Sequence, residues 1–389
     1  MAIVSAPDTE TLQPPVLRWQ EADLDLHAQW RSENGSKPPR QVVVADDRTP
    51  ADRAYRLVCE GTALLWRGDF QNARQMLQSL TRRLDRRRPS PPAATLLQAH
   101  HLHRKAQAER ARILGLLLIP MEGGHHIPLR RAPDLRQACL EAYGPSDERS
   151  VVSLRELLGV VGAHEWRKRG VMIPALGERI HPHHGVFSPV RGEYLDLVAG
   201  APLPTPALAD DGCVWDIGVG TGVLSALLLR RGVPRMLGTD LSPKALACAQ
   251  DNLQRLGLLT RSTLLACNLF PDGQSPLIVC NPPWLPGKAS STVEQAVYDP
   301  ESRMLRGFLS GLRAHLCPGG EGWLILSDLA ERLGLRAPQE LVEWIKAAGL
   351  RVVQRHDIRP RHGKAHDSSD PLHAARSKEI TSLWRLAAD

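Results

Sequence analysis

The sequence predicts an α/β fold: a seven-stranded, mostly parallel sheet covered by helices, entered through a β-hairpin and preceded by a mainly helical region. Three observations predict it. From Cys213 onward, short apolar runs alternate with amphipathic stretches at the spacing of β–α units. The first run ends in Asp216-Ile217-Gly218-Val219-Gly220-Thr221-Gly222, a glycine-rich turn opening onto a helix. Before residue 170, apolar positions recur at three- and four-residue intervals.

In order, residues 1–50 are polar and broken by proline, and read as a loosely structured arm with one short helix around Leu17 to Trp30. Residues 51–169 read as a helical domain. Asp52 to Arg88 carries helical periodicity through Ala54, Leu57, Val58, Leu64 and Leu65, and then Phe70, Ala73, Met76, Leu77 and Leu80, with a break at Gly68-Asp69. Arg86-Arg87-Arg88-Pro89 is a charged break. Ala93 to Leu118 reads as one long helix, and further helices are expected near Leu135–Tyr143 and Val151–Arg169. Residues 170–190 read as a β-hairpin around Gly177-Glu178.

Residues 191–389 form the α/β domain. Strands are expected at Cys213–Ile217, Arg235–Thr239, Ser262–Cys267, Leu277–Cys280, Gly322–Ser327, Leu350–His356 and Glu379–Leu386. Helices are expected at Val223–Arg231, Pro243–Leu256, Glu301–Leu316 and Pro338–Ala348. No helical pattern separates the last two strands, so an antiparallel final strand is expected.

The bulk numbers are those of a globular protein: 389 residues, 42% hydrophobic, 23% charged. A net charge of +7 fits an anionic partner such as RNA or a ribosome, and fits equally a basic surface without one. The seven cysteines form no C-x-x-C pair, which argues for reduced thiols in the cytoplasm and against a disulfide frame or a zinc site. The first residues carry no apolar signal-peptide core, and no run is long and apolar enough to span a membrane.

The glycine turn is a ligand cradle. Without Cβ atoms the backbone can approach a bound molecule, and the helix behind it presents free N–H groups. The pattern is D-x-G-x-G-x-G, not the G-x-G-x-x-G of dinucleotide folds. Asp216 suits the ammonium of an amino-acid tail. Asp240, in Gly238-Thr239-Asp240-Leu241-Ser242 after the next strand, suits the two hydroxyls of a ribose. Asn268, in Ala266-Cys267-Asn268-Leu269-Phe270 after the third strand, can meet an adenine amino group.

Asn281-Pro282-Pro283-Trp284 follows the fourth strand, at the strand end where open α/β sheets bind ligands. Asn281 offers a side-chain oxygen to an N–H of an amide or exocyclic amine. Pro282 fixes its own φ and aims a rigid carbonyl. Two acceptors facing one NH₂ would hold its nitrogen lone pair towards an electrophile, and Trp284 offers a flat surface for a planar group.

These residues resemble the class I S-adenosylmethionine-dependent methyltransferases, a Rossmann-like fold, and within them the N-methyltransferases with an N-P-P-[YFW] motif. The chain is most similar to the HemK-type release-factor glutamine methyltransferases and the small-domain rRNA guanine methyltransferases, over roughly Val171 to Asp389. The resemblance implies S-adenosylmethionine as cofactor, with Asp216, Gly218, Gly220 and Gly222 at its methionine half. Asp240 and Leu241 would then lie at the ribose and Asn268 and Leu269 at the adenine, with Asn281, Pro282, Pro283 and Trp284 catalytic. Phe187 and Arg191, in Gly185-Val186-Phe187-Ser188-Pro189-Val190-Arg191, stand where such enzymes place further cofactor contacts. Trp284 replaces the usual Tyr and Asn268 the usual Asp, so the acceptor stays open between an amide of a protein, such as a translation factor or ribosomal protein, and an RNA base.

The expected function is thus methyl transfer to a planar nitrogen of a macromolecule. The alternatives are a catalytically silent cofactor-binding module that partners RNA or a ribosome, and a small-molecule methyltransferase. No metal and no membrane partner is expected, and the oligomeric state is not legible. His181, His183 and His184 read as a solvated turn without a carboxylate or cysteine partner. Arg82, Arg83, Arg86, Arg87 and Arg88 read as a solvated face that could touch phosphate. The connection from Arg359 to Leu372, with Arg361 and Lys364, is long enough to border a substrate entrance.

Overall fold

The structure, a computed structural model, describes residues 15–86, 93–189, 192–289, 293–361 and 367–389. The chain forms two compact units, residues 1–88 with 109–161, and residues 89–108 with 162–389.

The first unit is not the expected helical domain. It is built on a six-stranded mixed sheet in the order β1-β2-β6-β5-β4-β3. Its strands are β1 (Val16–Glu21), β2 (Leu24–Arg31), β3 (Gln41–Ala45), β4 (Thr62–Trp66), β5 (Leu117–Met121) and β6 (Ser150–Ser153). The expected loose arm therefore contains three of these strands. The reason is local: Leu17 and Ala28–Trp30 are buried on a two-residue period, and Ala22 and Asp23, at φ 50° and 65°, turn the first hairpin without glycine.

The helical reading of Asp52 to Arg88 fails at Gly61, which takes φ 95° and ends α1 (Ala51–Glu60). The next five residues, Thr-Ala-Leu-Leu-Trp, are buried on both faces as β4. Helix α2 (Phe70–Asp85) then starts on the side chain of Asp69, which accepts from Gln71 N. The long helix survives as α3 (Leu96–Leu114), which spans the boundary between the units. Its expected last turn is β5 instead. Helix α4 (Arg136–Tyr143) stands where expected. The expected helix from Val151 begins as β6 and becomes α5 (Leu154–Arg169).

In the second unit the hairpin is β7 (Val171–Ile173) against β8 (Glu178–Ile180). After α6 (Glu193–Gly200) the chain alternates β9 (Cys213–Ile217), α7 (Val223–Arg230), β10 (Arg235–Asp240), α8 (Pro243–Arg255), β11 (Ser262–Ala266) and β12 (Ser275–Cys280). A two-residue ladder pairs β13 (Leu285–Pro286) with β14 (Tyr298–Asp299). Then come α9 (Arg303–His315), β15 (Leu316–Ser327), α10 (Leu329–Arg332), α11 (Glu340–Ala347), β16 (Leu350–Ile358) and β17 (Thr381–Ala388).

The seven-stranded sheet runs β11-β10-β9-β12-β15-β17-β16, parallel except for β17, which pairs antiparallel with both neighbours. Side chains alternate faces along each strand. Val214, Val279 and Ile325 join α6 and α7 on one face; Trp215, Ile278 and Leu324 join α9 and α11 on the other. The order reverses at β9, where β10 and β12 flank it, and this opens a crevice at the carboxyl ends of these strands.

Candidate functional site

Strand β9 delivers Asp216 to that crevice almost fully buried, at 1% exposure. Its Oδ2 accepts from Ser225 N at 3.1 Å and Ser225 Oγ at 2.7 Å. Its Oδ1 is buried without a hydrogen-bond partner. Burial pushes the carboxyl up to about 6, against the pull of the two Ser225 bonds and with added repulsion from Asp240. A buried carboxylate oxygen without a donor fits a cationic ligand group arriving from the crevice.

The turn after Asp216 takes Gly218, Gly220 and Gly222 through positive φ of 76°, 51° and 76°. A Cβ on Gly218 would lie 2.7 Å from Met304 Cε, the movable end of a side chain at the start of α9, so it is the positive φ that keeps this position to glycine. The turn is held by Thr239 O, which accepts from both Gly218 N and Val219 N at 2.9 Å. At the end of β10, Asp240 braces two neighbours: Oδ2 accepts from Gly220 N at 3.1 Å and Oδ1 from Ser242 N at 2.9 Å. Each oxygen keeps lone-pair capacity for a further donor. Leu241 is 69% exposed beside it.

Asn268 is exposed at the end of β11. Leu269 takes φ 64° and its carbonyl accepts from Thr239 Oγ1 at 2.7 Å. The Leu269 side chain is partly buried against the cluster of Leu305, Phe308 and Leu309. Phe270 stacks on His315 with ring centroids 4.4 Å apart, which makes it part of that core. Phe187 is half-buried after Val186, which packs on Ala245 and Cys248. Arg191 lies outside the described residues, as do Arg87, Arg88 and Lys364.

Strand β12 lies beside β9, pairing Val279 with Asp216, so Asn281-Pro282-Pro283-Trp284 emerges next to the glycine turn. Pro282 is buried, and Asn281 and Trp284 are half-buried. Trp284 Nε1 donates to Asn281 Oδ1 at 2.9 Å, which orients the amide. Asp299, 6% exposed, accepts through Oδ2 from Met304 N at 2.9 Å and Leu305 N at 3.3 Å, and so anchors the segment after the motif to α9.

The histidine turn is not solvated and does have partners. His183 Nε2 lies 3.1 Å from Asp251 Oδ2, and its N–H points at Cys248 Sγ at 3.3 Å. Asn252 ties the hairpin to the glycine turn: its Oδ1 accepts from His181 N at 2.7 Å and its Nδ2 donates to Thr221 O at 3.1 Å. Among the described residues no three His, Cys, Asp or Glu side chains gather as a metal site. Arg83 pairs with Asp52 at 2.7 Å. Arg361 docks on α6 by its N–H to Glu193 Oε1 at 2.7 Å, with its guanidinium 3.6 Å from Asp196. Sequence reasoning missed Ser225, Asp299 and Met304. Only Ser225 carried a signal, as the one polar residue before Arg230 in the run Val-Leu-Ser-Ala-Leu-Leu-Leu.

The strand order and the glycine turn are those of a Rossmann-like fold, and with the asparagine–proline motif beside the turn they resemble the class I methyltransferases. Residues 178–330 match the family model for the methyltransferase small domain. The chain is similar to the release factor glutamine methyltransferase of Caulobacter vibrioides, 40% identical over 148 residues, covering 36% of this chain and 51% of that protein. It is also similar to the ribosomal protein L11 methyltransferase of Photorhabdus laumondii, 28% identical over 36% of this chain and 45% of that protein. The chain thus spans about half the length of the curated relatives it matches. Among solved structures, a methyltransferase from Thiobacillus denitrificans with S-adenosyl-L-homocysteine aligns over 52% of this chain and 92% of that one, with 15% identity and a TM-score of 0.35.

Proposed function

We propose that the chain is an S-adenosylmethionine-dependent N-methyltransferase whose acceptor is a planar nitrogen of a macromolecule, a protein amide in the first instance. The observation that carries this is the pairing of two features on adjacent strands: the buried, donor-seeking Oδ1 of Asp216 and the oriented amide of Asn281. The names of the similar proteins, which act on a release factor and on a ribosomal protein, favour a protein acceptor over an RNA base. The cysteines, all free, suit a reducing cytoplasm.

In this reading Asp216 and the glycine turn hold the methionine half of the cofactor, Asp240 the ribose, and Asn268 the adenine edge. The cofactor, when bound, supplies a methyl group on a sulfonium, a neutral leaving group that asks for no acid. What remains for the protein is positioning and the exclusion of water. Asn281 Oδ1 and the Pro282 carbonyl accept the two N–H groups of the acceptor, and Trp284 carries its plane. Phe187 and Arg191 would close the cofactor pocket.

The test is incubation with radiolabelled S-adenosylmethionine and a cell extract, followed by separation of protein from RNA. Label in a protein supports the reading. Label in RNA moves the acceptor to a base, label in small molecules makes this a small-molecule enzyme, and cofactor binding without any transfer makes it a silent binding module.

A further inference from the structure

We propose that Arg104 is a positioning residue for the methyl acceptor: its guanidinium staples together the two limbs of chain that follow Trp284, and so fixes where the acceptor motif stands. The proposal rests on the roles given to Asn281 and Trp284 above.

The outgoing limb, residues 285–289, and the returning limb, residues 293–299, meet in the two-residue ladder of β13 and β14. Leu285 N donates to Val297 O at 3.0 Å, and Gly287 N to Asp299 O at 3.3 Å. A ladder this short does not stand on its own bonds. Asp299 ties its base to α9, and Leu285, 6% exposed, clusters with Leu329, Ala330 and Leu333.

Helix α3 holds the limbs from the other side. Leu96, Ala99, His100 and Arg104 stand at positions i, i+3, i+4 and i+8 and share one face of it. Leu96 and Ala99 pack in the cluster of Leu285 and Tyr298, and the buried His100 ring lies 6.5 Å from the Tyr298 ring. Arg104 then touches both limbs at once. On the outgoing limb its Nη2 donates to Lys288 O at 2.6 Å. On the returning limb its Nη1 donates to Glu294 Oε2 at 3.3 Å, and its guanidinium carbon lies 3.9 Å from the centre of the Tyr298 ring. Stacking on a ring while donating from two nitrogens asks for a planar fork, which lysine lacks.

The path to the acceptor is short. Tyr298 follows Val297, whose carbonyl holds Leu285 N; Leu285 follows Trp284; and Trp284 Nε1 orients the Asn281 amide. Loosening the limbs releases Trp284 and Asn281 from one fixed geometry. Asp216 and Asp240, at the ends of β9 and β10, stand outside this chain of contacts.

The experiment compares wild type with Arg104→Lys and Arg104→Ala in the full chain. Lys288 is exposed, and trypsin cuts after it only when the limb leaves Arg104. We expect that cut, followed by mass spectrometry of timed digests, to come about tenfold faster in both variants, with other cuts unchanged. The Trp284 indole N–H resonance, assigned by its loss in Trp284→Phe, should shift while that of Trp323 stays. S-adenosylhomocysteine affinity should stay within about threefold, and the initial rate of label transfer in the extract should fall about tenfold. An unchanged cut at Lys288 or an unmoved Trp284 resonance overturns the proposal, and so does a faster cut with undiminished transfer. Arg104→Lys protein that melts many degrees lower and loses S-adenosylhomocysteine overturns it too, since the arginine is then purely structural. A wild type that transfers no label overturns the methyltransferase reading and the acceptor role with it, while the tryptic cut still decides whether Arg104 holds the limbs.

Discussion

Asp216→Asn should make the ligand-free protein more stable and weaken the proposed cofactor site. The carboxyl is buried, with Oδ1 lacking a partner, and its pKa stands at about 6 against an ordinary 3.8. That difference corresponds to about 3 kcal/mol. The sign follows from linkage: the folded-state pKa is raised, so between about pH 4 and pH 6 the native chain holds a proton that the unfolded chain has released. Stability therefore falls as pH rises through that window, and the full penalty is present above it. An amide is the neutral isostere of the protonated carboxyl and can still accept from Ser225 N and Oγ. The variant should gain about 3 kcal/mol at pH 8, or about 6–12 °C in the melting midpoint of a unit this large, and nothing at pH 4. In the proposed reading the same substitution removes the charge opposite a ligand ammonium, worth about 1.5–3 kcal/mol, so S-adenosylhomocysteine should bind about 10- to 100-fold more weakly. Thermal melts at the two pH values and calorimetric titration read both effects. A variant that is less stable than wild type at pH 8, or equally stabilised at both pH values, would refute the reasoning.

Asn281→Ala should abolish label transfer in the extract assay and leave S-adenosylhomocysteine affinity within about threefold, because the loss falls on the acceptor side alone. Gly218→Ala puts a Cβ at φ 76° against Met304, with a cost of about 1–2 kcal/mol for the backbone alone; a lower melting midpoint and weaker cofactor binding should appear together. Asp251→Asn removes the carboxylate that receives His183, Arg167 and Arg255. Burial acts to raise the Asp251 pKa, and His183 and Arg255 outweigh it, so the net shift is downward. Its stabilisation is therefore present above the ordinary carboxylate range and lost as pH falls below it. We expect a loss of about 1 kcal/mol at pH 7 that fades towards pH 3, read by urea titration.

The second unit was legible because each of its signals is local. The glycine turn, the carboxylates at two strand ends and the asparagine–proline motif each lie within seven consecutive residues, and alternating apolar runs mark the strands between them. The first unit misled for a physical reason. Its buried strands, such as Thr62–Trp66, are apolar on both faces, so they show no alternation, and a neighbouring helix pattern absorbs them. The site's supports were illegible because they depend on contacts across the sheet. Asp251 meets His183 from 68 positions away, and Met304 covers Gly218 from 86. Trp284 and Asn281 are only three apart, yet their bond depends on how the proline pair turns the chain.

The α/β unit borrows residues 89–108 from far upstream. In that stretch Leu96 and Ala99 pack with Tyr298, Leu333 and Leu372, and Arg104 lies over the Tyr298 ring at 3.9 Å while its Nη2 donates to Lys288 O at 2.6 Å. During synthesis this half-helix must therefore wait, its apolar side open, until almost two hundred more residues have left the ribosome. A fragment cut to begin at residue 162 would leave those side chains bare and should precipitate, however intact its glycine turn. Recombinant work on the catalytic half alone should carry the piece from residue 89 to 108 with it, supplied as a peptide or fused through a linker.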